Sequence, residues 1–367
     1  MLNKVSVALN ENSYDILIGA DSIEYLTEFL GQKTYSKIFV ISDENIAKWH
    51  LPRLAAVLQK TKIAFESILT KAGEQTKSFR FLEKICEEIL AKGIDRKSLI
   101  IAFGGGVIGD LSGFIASILL RGIDFIQVPT TLLASVDSSV GGKTAINSKF
   151  GKNLIGSFYQ PKLVICDLNF LKTLPARELR SGYAEIVKYG FIHDENFFEF
   201  LEKNYPKIFA LDSEILKKTI TRSCEIKAEI VGRDEKEVGE RALLNFGHSF
   251  GHLFETETGY STEILHGEAV ALGMVMAAKM SQNFSLIGEG DFLRIKSHLE
   301  NCGFVIDPKK IRKNWNQKNL VSHLYKDKKN ENGNLTFILL QRIGVGVIKK
   351  NVELVEFERV SQWFLAL

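Results

Sequence analysis

Disulfide chemistry, thiolate metal binding and membrane insertion are all poorly served by this sequence. Its four cysteines, Cys86, Cys166, Cys224 and Cys302, are scattered with no CxxC spacing. That pattern argues against a disulfide framework and against a thiolate zinc site, and it fits a reducing cytosol. No apolar run reaches the ~20 residues needed to span a bilayer. The opening stretch MLNKVSVALNENSYDILIG carries polar interruptions, so it reads as a strand pair and not as a signal peptide. Net charge is scarce too, since 47 basic against 44 acidic residues leave +3. So small an excess specifies neither nucleic acid nor a membrane surface as a partner. Repeats, low-complexity linkers and long charge runs are absent. The expected location is the cytoplasm, and any basic site must be a local cluster.

What is present suits a soluble enzyme. A chain of 367 residues, 45% hydrophobic and 25% charged, can bury two sizeable cores. Up to about residue 175, short β-branched runs alternate with amphipathic segments. Tyr14–Ile18, Lys37–Ser42, Ile63–Leu69, Ser98–Phe103, Asp124–Pro129 and Leu163–Asp167 read as strands. Ser22–Leu30, Asn45–Gln59 and Ser78–Ala91 read as helices between them. This alternation predicts an α/β nucleotide-binding domain with a mainly parallel sheet, whose ligands gather at the carboxyl ends of the strands. Beyond Pro175 the periodicity becomes helical, in segments that include Arg177–Phe191, Ser213–Val231, Arg241–Glu257 and Gly267–Phe284. A closing hairpin over Leu335–Leu340 and Gly344–Lys349 precedes a last helix, Leu354–Leu365. The expected domains are therefore 1–175 and a mostly helical 176–367.

Candidate ligand contacts cluster at the strand ends. The buried run Ser98–Phe103 empties into Gly104-Gly105-Gly106-Val-Ile-Gly109-Asp110 and then a helix. Glycines at such a turn let backbone amides close on a pyrophosphate at a helix N-terminus, although a tight turn needing positive φ explains them equally well. Asp43 and Asn45 follow one strand and Glu74 and Lys77 the next. These can meet a ribose or a phosphate, or serve as helix caps and solvated pairs. Arg121, Lys143, Lys152, Lys188, Lys227 and Arg241 sit beside small or polar residues, where an ammonium or guanidinium can meet a phosphate or carboxylate.

Histidine is rare, with seven in the chain, yet His248, His252 and His266 fall close together. The i, i+4 spacing of His248 and His252 puts both on one helical face, suited to a divalent metal or simply to packing. Glu185 and Lys188 share a face in apolar company, which makes Glu185 a candidate carboxylate ligand. Two histidines and one carboxylate with an open position form a catalytic zinc pattern.

Lined up, these stretches resemble the 3-dehydroquinate synthase family along nearly the whole chain. The resemblance rests on GGGVIGD, LLRGIDFIQVPTTLLASVDSSVGGKTAIN, GKNLIGSFYQP, LPARELRSGYAEIVKYG, LNFGHSFGH and HGEAVALGM. It implies an NAD-binding α/β domain, a helical C-terminal domain, zinc as the metal with cobalt as an alternative, and a homodimer acting on a sugar phosphate. The implied reaction is phosphate-eliminating ring closure of 3-deoxy-D-arabino-heptulosonate 7-phosphate.

By resemblance, Glu185, His248 and His266 would be the metal ligands, with His252 a substrate or proton-relay group in place of the ligand its spacing suggested. NAD contacts would be Asp43, Asn45, Glu74, Lys77, Gly104, Gly105, Gly106, Gly109, Asp110, Thr130, Thr131, Asp137, Lys152, Phe170, Thr173, Leu174 and Glu178. Lys143, Lys188, Lys227, Arg241, Asn245 and His252 would be catalytic. Arg121, Asn153 and one of Lys328 and Lys329 would bind substrate, Arg121 reaching a neighbouring subunit's site. Departures are Trp49 or His50, where some relatives have a histidine contacting NAD, and Tyr183, where leucine is common. A different sugar-phosphate cyclase, a metal- and NAD-dependent polyol dehydrogenase and a nucleotide-binding scaffold without turnover are the competing readings.

Overall fold

The structure is a computed structural model that describes residues 1–327 and 335–367. Lys328 and Lys329 lie outside the described residues. In chain order the elements are β1 (Asn3–Val7), β2 (Tyr14–Gly19), α1 (Tyr25–Gly31), β3 (Lys37–Asp43), α2 (Glu44–Lys60), β4 (Ala64–Thr70) and α3 (Phe79–Ala91). Then follow β5 (Leu99–Gly104), α4 (Gly106–Ile118), β6 (Asp124–Pro129), β7 (Lys143–Ser148), β8 (Gly151–Phe158) and β9 (Leu163–Asp167). After them come α5 (Ala176–Ile192), α6 (Glu195–Phe209), α7 (Ser213–Arg233), α8 (His248–Glu257), α9 (His266–Asn283) and α10 (Glu289–Asn301). The last elements are α11 (Gln317–Asp327), β10 (Leu335–Arg342), β11 (Val345–Val352) and α12 (Leu354–Ala366).

The chain divides into two compact units, one of Met1–Pro175 with Leu211–Lys236 and the other of Ala176–Ala210 with Glu237–Leu367. This corrects the expectation of an unbroken helical domain over 176–367, because α7 packs on β1 and β2 of the first unit. Its buried residues recur at helical spacing, Leu216, Ile220, Cys224, Lys227 and Val231 among them. Periodicity in sequence identifies the face a helix buries and leaves its partner unspecified.

In the first unit, seven strands lie in the order β1-β2-β9-β6-β5-β3-β4. β1 is antiparallel to β2, and the other pairs are parallel. Side chains alternate across the sheet as the strand period of two requires. Ile38, Val40, Leu99, Ile101 and Phe103 pack with Leu54 and Val57 on one face. Phe39, Ile41 and Ile100 pack with Leu82, Ile85, Leu111 and Ile115 on the other. Burial on both faces explains why β5 reads as an unbroken apolar run. The strand order reverses between β3 and β5, and the crevice outside such a reversal is where open α/β sheets bind ligands. Between the expected strands Asp124–Pro129 and Leu163–Asp167 the chain also forms the antiparallel β7–β8 hairpin, where no strand was expected.

The second unit is built around α9, which is buried on nearly every side and packs on α5, α8, α10 and β10. β10 and β11 form the expected hairpin, with Ile338 opposite Ile348. The helix expected over Arg241–Glu257 is broken at Gly247, whose φ of 82° is left-handed. A 3-10 turn (Glu240–Asn245) lies before the break and α8 after it. The hydroxyl of Tyr183 finds a partner in His298 Nε2 at 2.9 Å. Among the described residues no helix is long and apolar enough to cross a membrane.

Candidate functional site

Three helices of the second unit bring Glu185, His248 and His266 together. Glu185 sits in the wholly buried middle of α5. The left-handed turn at Gly247 makes His248 the first residue of α8, and His266 is the first residue of α9. Gly267 lets α9 start directly against α5, since a Cβ there would run into the Ser181 carbonyl, and its N–H donates to Ser181 Oγ at 3.0 Å. Arg177 holds the same junction from outside. Its guanidinium donates to both Glu268 oxygens at 2.7 Å and to the carbonyls of Thr262 and Glu263 at 3.0 Å.

The outcome is a compact donor set whose ligand atoms all lie within 4.8 Å of one another. Glu185 Oε1 is 3.5 Å from His248 Nε2 and 3.4 Å from His266 Nε2. The outer nitrogens are engaged, His248 Nδ1 with the Phe246 carbonyl at 3.3 Å and His266 Nδ1 with Glu255 Oε2 at 3.4 Å. Both Nε2 atoms are thereby turned inward. Burial pushes His248 down to about 3, with Glu185 offsetting part of the shift. Burial also opposes charge on His266, but Glu255 and Glu185 outweigh it and hold this imidazole up at about 10. Two imidazole nitrogens and a carboxylate oxygen suit a borderline divalent ion such as zinc or cobalt, with a position left for substrate.

Lys188 donates to the other oxygen of Glu185. His252 stands beside the donor set, its ring 5.6 Å from that of His248. The ligand pairing suggested by the i, i+4 spacing is therefore corrected: His248 converges with His266 from another helix and not with its own helical neighbour. Arg241 is buried in the 3-10 turn, and Asn245 Nδ2 donates to Glu237 Oε1 at 2.8 Å.

In the first unit, the strand ends carry most of the expected nucleotide contacts. Asp43 closes β3 and caps α2, its Oδ1 accepting from the backbone of Asn45 at 2.9 Å and Ile46 at 3.1 Å. Gly104 ends β5, beside β3 in the sheet, and Gly105 caps α4, whose first turns hold Gly106, Gly109 and Asp110. A Cβ at Gly105 would stand 3.0 Å from Thr131, and one at Gly106 3.0 Å from Ser138 Oγ. The buried hydroxyls of Thr130 and Ser138 have no protein partner among the described residues. Such a glycine cradle, with spare hydroxyls and a helix N-terminus, fits a dinucleotide phosphate.

Lys77, 4% exposed, donates to Asp110 Oδ2 at 2.6 Å and to Asn153 Oδ1. Burial works against its charge, but Asp110 and Glu74 overcome it and raise its pKa. Glu74 Oε1 accepts from Asn147 Nδ2 at 2.8 Å. Lys227 donates to the Asp137 carbonyl at 2.6 Å and to its Oδ1 at 2.8 Å. Asp137 lies on the π-helical turn Ala134–Ser138. Lys143 is exposed at the start of β7, and Lys152 and Asn153 lie on β8.

Phe170 and Thr173 sit on the 3-10 turn Leu168–Thr173, which ends at Leu174. His50 packs edge-on to Phe170 with ring centres 5.0 Å apart and meets Thr173 Oγ1 at 2.6 Å, whereas Trp49 is exposed. Arg121 closes the turn after α4 with a left-handed φ of 70°. Glu178 is placed in the second unit, exposed in the first turn of α5. Sequence reasoning missed Glu255, Glu237, Ser138 and Asn147. Ser138 and Asn147 lie inside the quoted motif that ends in GGKTAIN, whereas neither Glu237 nor Glu255 lies in a local pattern that distinguishes it from an ordinary polar residue.

Two family models match the chain: 3-dehydroquinate synthase N-terminal over residues 67–181 and 3-dehydroquinate synthase C-terminal over residues 182–330. A 3-dehydroquinate synthase of Bartonella tribocorum is 49% identical over 356 residues, covering 95% of this chain and 94% of its own. Among solved structures, a 2-deoxy-scyllo-inosose synthase complexed with carbaglucose-6-phosphate, NAD+ and Co2+ superposes with a TM-score of 0.88 at 25% identity, covering 98% of this chain and 99% of its own. A 2-epi-5-epi-valiolone synthase from Streptomyces hygroscopicus, with NAD+ and Zn2+ bound, gives 0.87 at 26% identity, covering 98% of both chains.

Proposed function

The chain belongs to the 3-dehydroquinate synthase family, and from that premise we infer that it converts 3-deoxy-D-arabino-heptulosonate 7-phosphate to 3-dehydroquinate and phosphate. The observation that carries this reading is the buried Glu185, joined to Lys188 and to two imidazoles. It offers a metal-binding face and a phosphate-seeking cation on one carboxylate. Identity of 49% to a 3-dehydroquinate synthase, against 25% to the inosose synthase, favours this substrate over that of another cyclase.

When bound, NAD supplies a hydride acceptor that later returns the hydride, and a divalent ion, zinc or cobalt, supplies Lewis acidity toward the substrate oxygens. Glu185, His248 and His266 would hold the ion. The Gly104–Gly106 turn, the hydroxyls of Thr130 and Ser138, and the Lys77–Asp110 pair would bind and orient NAD. Lys188 would stabilise the charge of departing phosphate, and the family resemblance implies the same role for Lys143, Asn153 and Arg121. Arg241 presents a planar donor set to the substrate carboxylate. Lys227, fixed by Asp137, and Asn245, fixed by Glu237, bind hydroxyl groups and hold one conformer for ring closure. His252 carries protons at its ring nitrogens beside the donor set.

A homodimer in the cytoplasm completes this reading. Phe150, Leu154, Phe158 and Ile118 are large exposed apolar side chains. The hydrogen bond from Ser157 to Ser117, at 2.8 Å, joins β8 to the end of α4, where Ile118 stands three residues before Arg121. Covering these apolar side chains with a second copy would carry Arg121 toward that copy's site.

The deciding experiment follows phosphate release from the heptulosonate phosphate with NAD and zinc, while NADH absorbance is recorded and the product identified. Stoichiometric phosphate and dehydroquinate without net NADH, lost on removing metal, is the expected result. Accumulating NADH with simple polyols and no phosphate would transfer the chain to the polyol dehydrogenases.

A further inference from the structure

The donor set has an outer partner that neither its spacing nor its motif announces. Glu255 is on α8, seven residues after His248, so nearly two turns return it to the same helical face. Its side chain is buried at 3% exposure. From there Oε2 reaches across to α9 and stands 3.4 Å from His266 Nδ1. One helix thus supplies a donor, His248, and also the group that backs the donor of the neighbouring helix. The other imidazole is backed differently, since His248 Nδ1 faces the Phe246 carbonyl at 3.3 Å.

We propose that Glu255 is a positioning residue of the metal centre, holding the proton of His266 on Nδ1 so that Nε2 faces a divalent cation. The inference rests on the metal-binding reading of Glu185, His248 and His266. With Nδ1–H bonded to a carboxylate, the ring plane is fixed, the inward nitrogen keeps its lone pair, and its basicity rises. The charge balance points the same way. A divalent ion with Lys188 beside it brings three positive charges into a buried site, and Glu185 offsets one of them. Glu255 offsets a second at one hydrogen bond's remove, where a buried carboxylate is itself tolerated because it is paired.

The test uses zinc as the probe. Its dissociation constant is measured by competition with a chromophoric chelator for the wild-type protein, Glu255→Gln and Glu255→Leu, together with NAD affinity, metal-free melting temperature and the visible spectrum of the cobalt(II) form. Outer carboxylates of this kind govern roughly 10- to 100-fold in metal affinity. The near-isosteric Gln variant, which keeps an acceptor and loses the charge, is expected near the low end, and the Leu variant near the high end with an altered cobalt spectrum. NAD affinity should hold in both. A merely structural carboxylate would lower the metal-free melting temperature and leave the zinc constant of the folded variants unchanged, and that result overturns the proposal alone. Wild-type protein that takes up no stoichiometric zinc overturns the metal-centre reading and this proposal with it.

Discussion

Glu185 and Lys188 form an ion pair one turn apart on α5 with side-chain exposures of 0% and 2%. The same carboxylate presents its second oxygen to His248 and His266, at 3.5 and 3.4 Å. Removing one member of a buried pair leaves a desolvated charge and costs about 3–5 kcal/mol. Lys188→Met is therefore expected to destabilise the metal-free protein by about that amount. Zinc can restore part of the loss, because it places positive charge on the same carboxylate. Melting curves with and without zinc check this: the variant should melt lower than wild type without metal and gain more from zinc. Equal gains in the two proteins would uncouple Lys188 from the metal site.

Glu185→Gln keeps the shape of the side chain and removes its charge. Zinc affinity is expected to fall by at least ~10-fold and turnover to be lost. NAD affinity should stay within about twofold, because the glycine turn and its hydroxyls belong to the first unit. Metal analysis after dialysis and a fluorescence titration with NAD distinguish the two effects. Full zinc occupancy and full rate in this variant would remove Glu185 from the ligand set.

The strands of the first unit were legible because their signal is local. Lys37–Asp43, Leu99–Gly104 and Asp124–Pro129 are apolar runs bounded by turn residues, and burial on both faces makes such runs hard to mistake. The β7–β8 hairpin was not, since Thr144, Ser148 and Gly151 carry the signature of a loop and pairing across strands is non-local. The partner of α7 was hidden for a related reason, because helical periodicity does not say which surface a buried stripe meets. At the candidate metal centre, the scarcity of histidine marked the region. Spacing misdirected the pairing, because the left-handed turn at Gly247 and the close approach at Gly267 bring together residues from three helices. Family resemblance, carried by the motifs around those glycines, supplied the set that geometry alone had left open.

Gly267 tests that close approach. A methyl group there would meet the backbone of Ser181, which cannot rotate away as a side-chain tip could. Gly267→Ala is expected to push the start of α9 off α5, displacing His266 from Glu185. Overpacking of this kind costs about 1–3 kcal/mol, and more where backbone must move. The expected signature is a lower melting temperature together with reduced zinc affinity. A substitution that lowers stability yet leaves zinc affinity untouched would show that His266 is positioned independently of this junction.

His298 gives the second unit a pH dependence that can be measured away from the metal donors. Its ring is 3% exposed, with Tyr183 Oη 2.9 Å from Nε2, Cys302 Sγ at 3.5 Å, and Phe198 and Tyr205 packed edge-on. Burial lowers its pKa to about 4, with Glu202 opposing the shift and Arg294 adding to it. The unfolded chain binds this proton near pH 6.5. Between those two values the unfolded state carries more protons than the native one, so stability rises with pH across the window and falls as pH drops through it. Well above pH 6.5 nothing is lost, whereas the loss is about 2 kcal/mol at pH 5 and about 3 kcal/mol by pH 4. His298→Gln can keep a hydrogen bond to Tyr183 and cannot take up the proton. Its stability at pH 7.5 should lie below that of wild type, because a buried ring is replaced by a smaller polar group. At pH 5 that deficit should shrink by about 2 kcal/mol, read from urea unfolding of both metal-free proteins. Parallel pH profiles for the two proteins would mean that His298 takes up its proton in the folded state at the same pH as in the unfolded chain, and below that pH the Tyr183 hydroxyl would then have to act as the acceptor in their hydrogen bond.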